Sequence, residues 1–422
     1  MRHTILNFFI VAALGFFISC SPLDPKPDFK KGFIKYYSGA DYTTASKFII
    51  DTQGNYYCIG SGFTDTDGDN IYVFKADNEG NVVWQRYFGG AANDTGFVIR
   101  QDSDNNLVVL GNYADGNGGT SIYLSKLDIN TGASVFERQI KPNTSSAYGY
   151  DLRIAASGGY IIAGAQNYTP TLREALIIKT DNTGEIVNTA NGRVVITYSY
   201  RDPNSTSTTS NDDFYVNSID ELSNGDFKWV GNSTLRLNQG AVPNGSPIFV
   251  NTKIDGRLLY AYNKLETVIA EPRMVSVSSL KKIADGYIAV GNSINTDNTY
   301  ESFLMKLDAD FKKVWYRTYN IPNNDYAFSV ETTADGGYIF TGRQDIDLGS
   351  GDADVYVIKT DATGNQTWKK QYGGKGIDKG KDIKQTQDGG YAILCDIELI
   401  TTPANKPVAA IIKVDSEGVI EN

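Results

Sequence analysis

The chain has 422 residues, of which 39 are basic and 49 acidic, so its formal net charge is −10. Nucleic-acid binding depends on neutralising phosphates with lysine and arginine, and this acidic balance argues against it. The one histidine, His3, lies at the very start of the chain. Its absence elsewhere excludes histidine bases, Ser/His/Asp and Cys/His nucleophile systems, and histidine metal ligands.

Residues 1–19 have the layout of a signal peptide for export. Arg2 precedes an apolar run from Ile5 to Phe17, which is too short for a membrane span. The run ends in Phe17-Ile18-Ser19-Cys20, which resembles the lipobox of bacterial lipoproteins, although Phe17 stands where that pattern has an aliphatic residue. The resemblance implies that Cys20 becomes a lipidated N-terminus. The alternative is an ordinary signal peptide that contains a cysteine.

Residues 20–32 follow as a tether, because three prolines between Ser21 and Pro27 prevent a helix or strand. Loss of residues 1–19 would leave 38 basic against 49 acidic residues. We therefore expect membrane attachment through the lipid alone. Ser21 after the cysteine resembles the pattern that directs lipoproteins to the outer membrane, so the expected location is the cell envelope, at the outer membrane.

The remaining chain, residues 33–422, contains an internal repeat. A Lys-x-Asp-x-x-Gly motif occurs in seven variants, 51 to 54 residues apart except for one interval of 74, which contains an insertion. The motif aspartates are Asp77, Asp128, Asp181, Asp255, Asp308, Asp361 and Asp415. A second, alternating segment closes on a glycine in step with the first motif. Its closing residues are Gly60, Gly111, Gly164, Gly231, Gly291, Gly342 and, with the glycine replaced, Cys395.

Each unit is predicted to form four short strands. Tyr, Ile, Val and Phe alternate with polar residues between Gly and Asp/Asn turns, which is typical of strands and hairpins. Seven such units predict an all-β, seven-bladed β-propeller. The last unit has no fourth strand of its own, while residues 32–39 are similar to the fourth strands of other units. We expect this N-terminal strand to complete the last blade and close the ring.

Residues 354–374, with the run Lys359-Thr-Asp-Ala-Thr-Gly-Asn-Gln-Thr-Trp368, resemble the β-propeller repeats of bacterial surface and secreted proteins. They are also similar to the tryptophan-docking repeats of quinoprotein dehydrogenases, in which the repeat is architectural. The resemblance implies the fold and leaves the function open. It implies that Trp84, Trp315 and Trp368 pack between blades, and no quinone cofactor is expected.

Acidic residues are the candidate ligands and acids. Asp65, Asp67 and Asp69 have the spacing that begins a calcium loop, but its glycine is misplaced and Ala76 stands where a closing glutamate belongs. A solvated acidic loop is the competing interpretation, and no cofactor is expected. Asp94, Asp325 and Asp378 each lie 17 residues before a closing position, which predicts that they bind turn backbone. Cys58 and Cys395 are expected to form no disulfide.

Two loop insertions, within residues 181–213 and 235–247, open on the same face of the predicted ring. Because loops on a rigid scaffold carry function, Tyr198, Tyr200 and Arg201 are the candidate binding residues, with a polar insertion without a role as the alternative. The leading hypothesis is a non-enzymatic binding or scaffold lipoprotein whose partner is an envelope protein or a glycan. The competing hypothesis is a hydrolase or lyase acting on polysaccharide.

Overall fold

The computed structural model describes residues 32–39, 41–64, 68–142, 146–169, 172–189, 192–193, 195–198, 214–233, 246–252, 258–262, 273–319, 321–346, 352–401 and 405–420. These residues form seven four-stranded antiparallel sheets, which are the blades of a β-propeller, together with one short hairpin. The predicted fold is confirmed. Within these ranges, no helix is both long and apolar enough to cross a membrane.

The blades follow one another along the chain. Blade 1 consists of β2 (Thr43–Ile50), β3 (Tyr56–Thr64), β4 (Gly68–Ala76) and β5 (Val82–Phe88). Blade 2 consists of β6 (Thr95–Gln101), β7 (Leu107–Ala114), β8 (Thr120–Leu127) and β9 (Ser134–Ile140). Blade 3 consists of β10 (Ala147–Ile154), β11 (Tyr160–Thr169), β12 (Leu172–Thr180) and β15 (Val195–Tyr198), with β13 (Asn188–Thr189) and β14 (Gly192–Arg193) as a separate hairpin.

The other four blades repeat this order. Blade 4 consists of β16 (Phe214–Glu221), β17 (Phe227–Ser233), β18 (Ser246–Thr252) and β19 (Leu258–Tyr262). Blade 5 consists of β20 (Arg273–Ile283), β21 (Gly286–Ile294), β22 (Tyr300–Leu307) and β23 (Lys313–Thr318). Blade 6 consists of β24 (Asp325–Thr332), β25 (Tyr338–Asp345), β26 (Ala353–Thr360) and β27 (Gln366–Tyr372). Blade 7 consists of β28 (Lys379–Gln385), β29 (Tyr391–Leu399), β30 (Lys406–Val414) and β1 (Phe33–Tyr37).

The N-terminal strand closes the ring as predicted. β1 pairs antiparallel with β30, from Phe33 opposite Lys413 to Tyr37 opposite Ala409. Tyr37 is buried, and its ring stacks on Phe74 of blade 1 with 4.4 Å between centroids. Its hydroxyl donates a hydrogen bond of 3.0 Å to the carbonyl oxygen of Gly80. The first and last blades are therefore joined through β1.

The closing glycines lie where the backbone of the first strand leaves no room for a side chain. In every blade the first strand carries an extra residue, a β-bulge, opposite this point of the second strand. A Cβ atom at Gly342 would lie 1.7 Å from the carbonyl oxygen of Tyr326, so no larger residue fits there. In blade 7 Cys395 stands at the closing position, and the residue opposite it on the first strand is Gly380.

Three tryptophans pack between neighbouring blades, as the resemblance of the repeat implied. Trp84 packs on Gly132 of the next blade, a turn glycine at φ +67° where a Cβ would lie 2.7 Å from the indole ring. Trp315 and Trp368 make the equivalent contacts with the turn glycines of blades 6 and 7. The predicted packing role is confirmed. Cys58 and Cys395 are buried and unpaired thiols, as expected.

Candidate functional site

The structure describes only part of the sequence-predicted sites. Tyr198 is the last residue of β15, whereas Tyr200 and Arg201 lie outside the described residues. Asp65 and Asp67 also lie outside them, and the carboxylate of Asp69 accepts a hydrogen bond from the hydroxyl of Tyr42. The described residues contain no group of three His, Cys, Asp or Glu side chains able to hold a metal ion. Calcium binding and the loop contacts stay predictions.

The three repeated aspartates bind backbone, as predicted. Asp94 accepts hydrogen bonds of 2.7 Å from the amides of Gly90 and Ala114. Asp378 accepts bonds from Gly374 and Glu398 in the same way, and Asp325 accepts one of 2.8 Å from Ser302. Burial raises the pKa of Asp325 to about 7. These carboxylates hold the connections between blades.

A cavity of about 800 Å³ lies on the axis of the ring. The first strands of all seven blades line it, and the bulges of these strands lie beside it. Several of its charged residues stand next to the last position of a first strand, as Arg100, Arg153 and Lys384 do. The charged residues of the cavity, which we call the charged layer, therefore lie towards the face on which the hairpin turns open.

Basic side chains are in excess in this cavity. Of the described residues that line it, six are basic and four, Asp151, Asp220, Glu331 and Asp382, are acidic. The basic residues are Lys47, Arg100, Arg153, Lys281, Lys282 and Lys384. The cavity thus has a positive balance inside a chain whose net charge is −10.

Two of the four acids, Asp151 and Asp382, accept hydrogen bonds from backbone amides as well as contacting basic side chains. Asp151 accepts a 3.0 Å hydrogen bond from the amide of Ile219 in the next blade, while Arg100 and Arg153 lie 3.4 and 3.2 Å from its oxygens. Asp382 accepts bonds from the amide of Phe48 and the hydroxyl of Ser329.

The ammonium groups nearby also share acids. Lys47 and Lys384 lie 3.6 and 3.4 Å from Asp382, and Lys384 and Lys281 both contact Glu331. Each of these carboxylates is therefore divided between two cations. Lys282 is paired separately with Asp220 at 2.9 Å.

The mutual repulsion appears in the pKa values. Burial and the charge of Lys384 lower the pKa of Lys281 to about 8. Lys47 lines the cavity with 29% of its side chain exposed, and burial lowers its pKa as well. Burial alone would raise the pKa of Asp382, but Lys384 and Lys47 hold it well below its usual value. An added anion would relieve this repulsion.

The rest of the cavity wall is polar and aromatic. Ser218, Ser276, Asn217 and Asn292 contribute hydroxyl and amide groups. Tyr150 and Tyr215 meet edge to face, with 5.9 Å between ring centroids. Hydroxyls, amides and tyrosine rings beside cations suit a hydroxylated anion.

These cavity residues were not predicted from the sequence, although the repeat contains a signal for them. Counting back from each closing position, the eleventh residue is Ile49, Arg100, Arg153, Asp220, Glu331 or Lys384, and in blade 5, whose turn is one residue shorter, the tenth is Lys281. Six of these seven residues are charged, although they lie in strands in which apolar residues recur at alternate positions.

No family model matches the chain, and no curated protein matches it. Solved structures match across nearly the whole length. One is described as a new family of polysaccharide lyase, an ulvan lyase bound to -[GlcA(1-4)Rha3S]-; it is 10% identical, with a TM-score of 0.58, over 91% of this chain and 96% of that one. Another is Drosophila Semaphorin 1a, extracellular domains 1-2, which is 7% identical, with a TM-score of 0.50, over 90% and 87%. At these identities the likeness shows the propeller fold alone.

Proposed function

We propose that this propeller is a binding module that holds an acidic saccharide in its axial cavity. The observation that carries the proposal is the excess of basic side chains in a cavity of about 800 Å³ within an acidic chain. Asp151 is shared between Arg100, Arg153 and a backbone amide, and Glu331 is shared between Lys281 and Lys384. A ligand carboxylate or sulfate would therefore find Arg100 and Lys281 incompletely neutralised.

A saccharide fits the neutral part of the wall. Serine and asparagine side chains can exchange hydrogen bonds with sugar hydroxyls, and tyrosine rings can pack against sugar faces. The volume lies within the range of small-molecule sites. The ulvan lyase with the same fold is described as bound to a chain of GlcA and Rha3S units, which are acidic sugars.

Calorimetric titration with an oligosaccharide that contains glucuronic acid, and with a neutral oligosaccharide of equal length, tests the proposal. The wild type should bind the acidic ligand and not the neutral one. The double variant Arg100→Gln/Lys281→Gln should bind at least about tenfold more weakly, because charged hydrogen bonds contribute about 1.5–3 kcal/mol each. The control Lys313→Gln/Lys370→Gln removes the same charge from β23 and β27, outside the cavity. Equal binding of both ligands, or no loss in the cavity variant, contradicts the proposal.

A lyase acting on the same ligand is the second candidate. It is favoured by Lys281, whose lowered pKa makes part of its amine neutral near pH 8. In such a reaction the amine takes the proton from the ring carbon next to the sugar carboxylate, and the bond from the adjacent ring carbon to the glycosidic oxygen breaks. The departing oxygen takes up a proton from solvent, and a double bond remains between the two ring carbons. Prolonged incubation of the acidic oligosaccharide with the protein decides between them. A rise in ultraviolet absorbance with shortened chains supports the lyase, and an intact ligand supports binding alone.

We further propose that the protein acts at the cell envelope, attached by lipid at Cys20, with a glycan or an envelope protein as its partner. Support comes from the signal-like residues 1–19 and the lipobox-like ending, which lie outside the described residues. In the described part, β1 begins at Phe33 beside the hairpin turns, since Phe33 pairs with Lys413, whose ammonium binds Asp388 in a turn. The described chain therefore begins at the face towards which the charged layer lies.

A further inference from the structure

The lysine of the repeated motif forms an ion pair in most of the blades. Lys126, Lys306, Lys359 and Lys413 each place their ammonium 2.7 Å from an aspartate of a hairpin turn in the same blade. Lys179 binds Glu221 of the following blade instead, at 3.0 Å. In these five blades the ammonium is neutralised by a carboxylate of the protein.

Blade 1 departs from this arrangement. Within the described residues Lys75 makes no ion pair, and its ammonium lies over the ring of Tyr57, 5.0 Å from the centroid. Gln53 occupies the turn position that Asp335 holds in blade 6 and Asp388 in blade 7. The turn itself is unchanged, because Gly54 and Gly336 have the same left-handed φ, +84° and +82°.

Another acid, Asp51, lies nearby but is already occupied. One of its oxygens accepts hydrogen bonds from the amides of Gln53 and Asn55, at 2.9 and 2.8 Å. The other accepts bonds from the side-chain amide of Asn55 at 2.8 Å and from the hydroxyl of Tyr57 at 3.1 Å. In blade 2 the equivalent Asp102 binds Lys126, and Val108 stands in place of the tyrosine. Tyr57 therefore separates Lys75 from Asp51.

A second cavity, of about 340 Å³, opens beside this lysine between blades 1 and 2. Its wall carries the side-chain amides of Gln53, Gln101, Asn105 and Asn130. We propose that this cavity binds a small hydroxylated carboxylate, such as a uronic acid. The ligand carboxylate takes the place of the absent turn aspartate at Lys75, and the amides bind its hydroxyls. This site does not depend on the axial cavity.

Backbone amide signals of residues 53–57 and 130 in NMR spectra provide the test, with D-glucuronate and D-glucose as probes. Glucuronate should shift these signals and glucose should not. Lys75→Gln should weaken the glucuronate response at least tenfold. Gln53→Asp should also abolish it, because the new carboxylate occupies Lys75 from within, and this variant should melt no lower than the wild type.

Two controls separate this site from the others. Lys359→Gln, at the same position in blade 6, and Arg100→Gln/Lys281→Gln in the axial cavity should leave the response at residues 53–57 unchanged. The proposal is overturned if glucuronate shifts none of these signals in the wild type, if glucose shifts them equally, or if the response persists in Gln53→Asp. Failure at the axial cavity alone would leave these shifts intact.

Discussion

Tyr37 lies on the strand that closes the ring, and its contacts determine how much free energy of unfolding its replacement should cost. Tyr37→Phe removes only the buried hydrogen bond to Gly80, so it should lower the free energy of unfolding by about 1 kcal/mol. Tyr37→Ala also removes a buried ring that stacks on Phe74. Because truncating a buried aromatic residue costs about 3–5 kcal/mol, the total loss should be about 4–6 kcal/mol.

The neighbouring Tyr36 is the matched control. It lies on the same strand but is 53% exposed, so Tyr36→Ala should cost less than about 1 kcal/mol. Urea denaturation followed by circular dichroism measures all three variants. If Tyr37→Ala is no more destabilising than Tyr36→Ala, the ring does not depend on β1 for its stability. Deletion of residues 20–40 should destabilise the protein at least as strongly as Tyr37→Ala.

The acidic oligosaccharide should bind more weakly as the pH rises through about 8, where Lys281 loses its charge, and affinity measured across this range checks it. The pKa of Asp325 is raised to about 7, so native stability should fall as the pH rises from about 4 to about 7. At pH 8 the Asp325→Asn variant should therefore have a higher free energy of unfolding than the wild type, by up to about 4 kcal/mol, and a higher melting temperature. Equal melting temperatures would contradict the raised pKa of Asp325. Cys20→Ala should abolish the detergent partitioning expected of the lipidated protein.

The fold could be predicted because the seven blades repeat the same residue types at the same packing positions. The closing glycines, the inter-blade tryptophans and the N-terminal strand all follow from comparing units of one sequence, and the structure has each of them. The axial cavity was harder to predict. Arg100 and Asp151 belong to different repeats, and the packing of neighbouring blades, whose first strands carry bulges, brings them within 3.4 Å.

The net charge of the chain differs in sign from the charge balance of the axial cavity. Many of the acids sit in turns and bind backbone amides, as Asp361 does with Thr363 and Asn365, at 2.8 and 2.9 Å. Such carboxylates count in the net charge of −10. A charge acts mainly within a Debye length of roughly 8–10 Å, however, so a ligand in the cavity responds to the side chains around it. There the basic residues are in excess, although the chain as a whole is acidic.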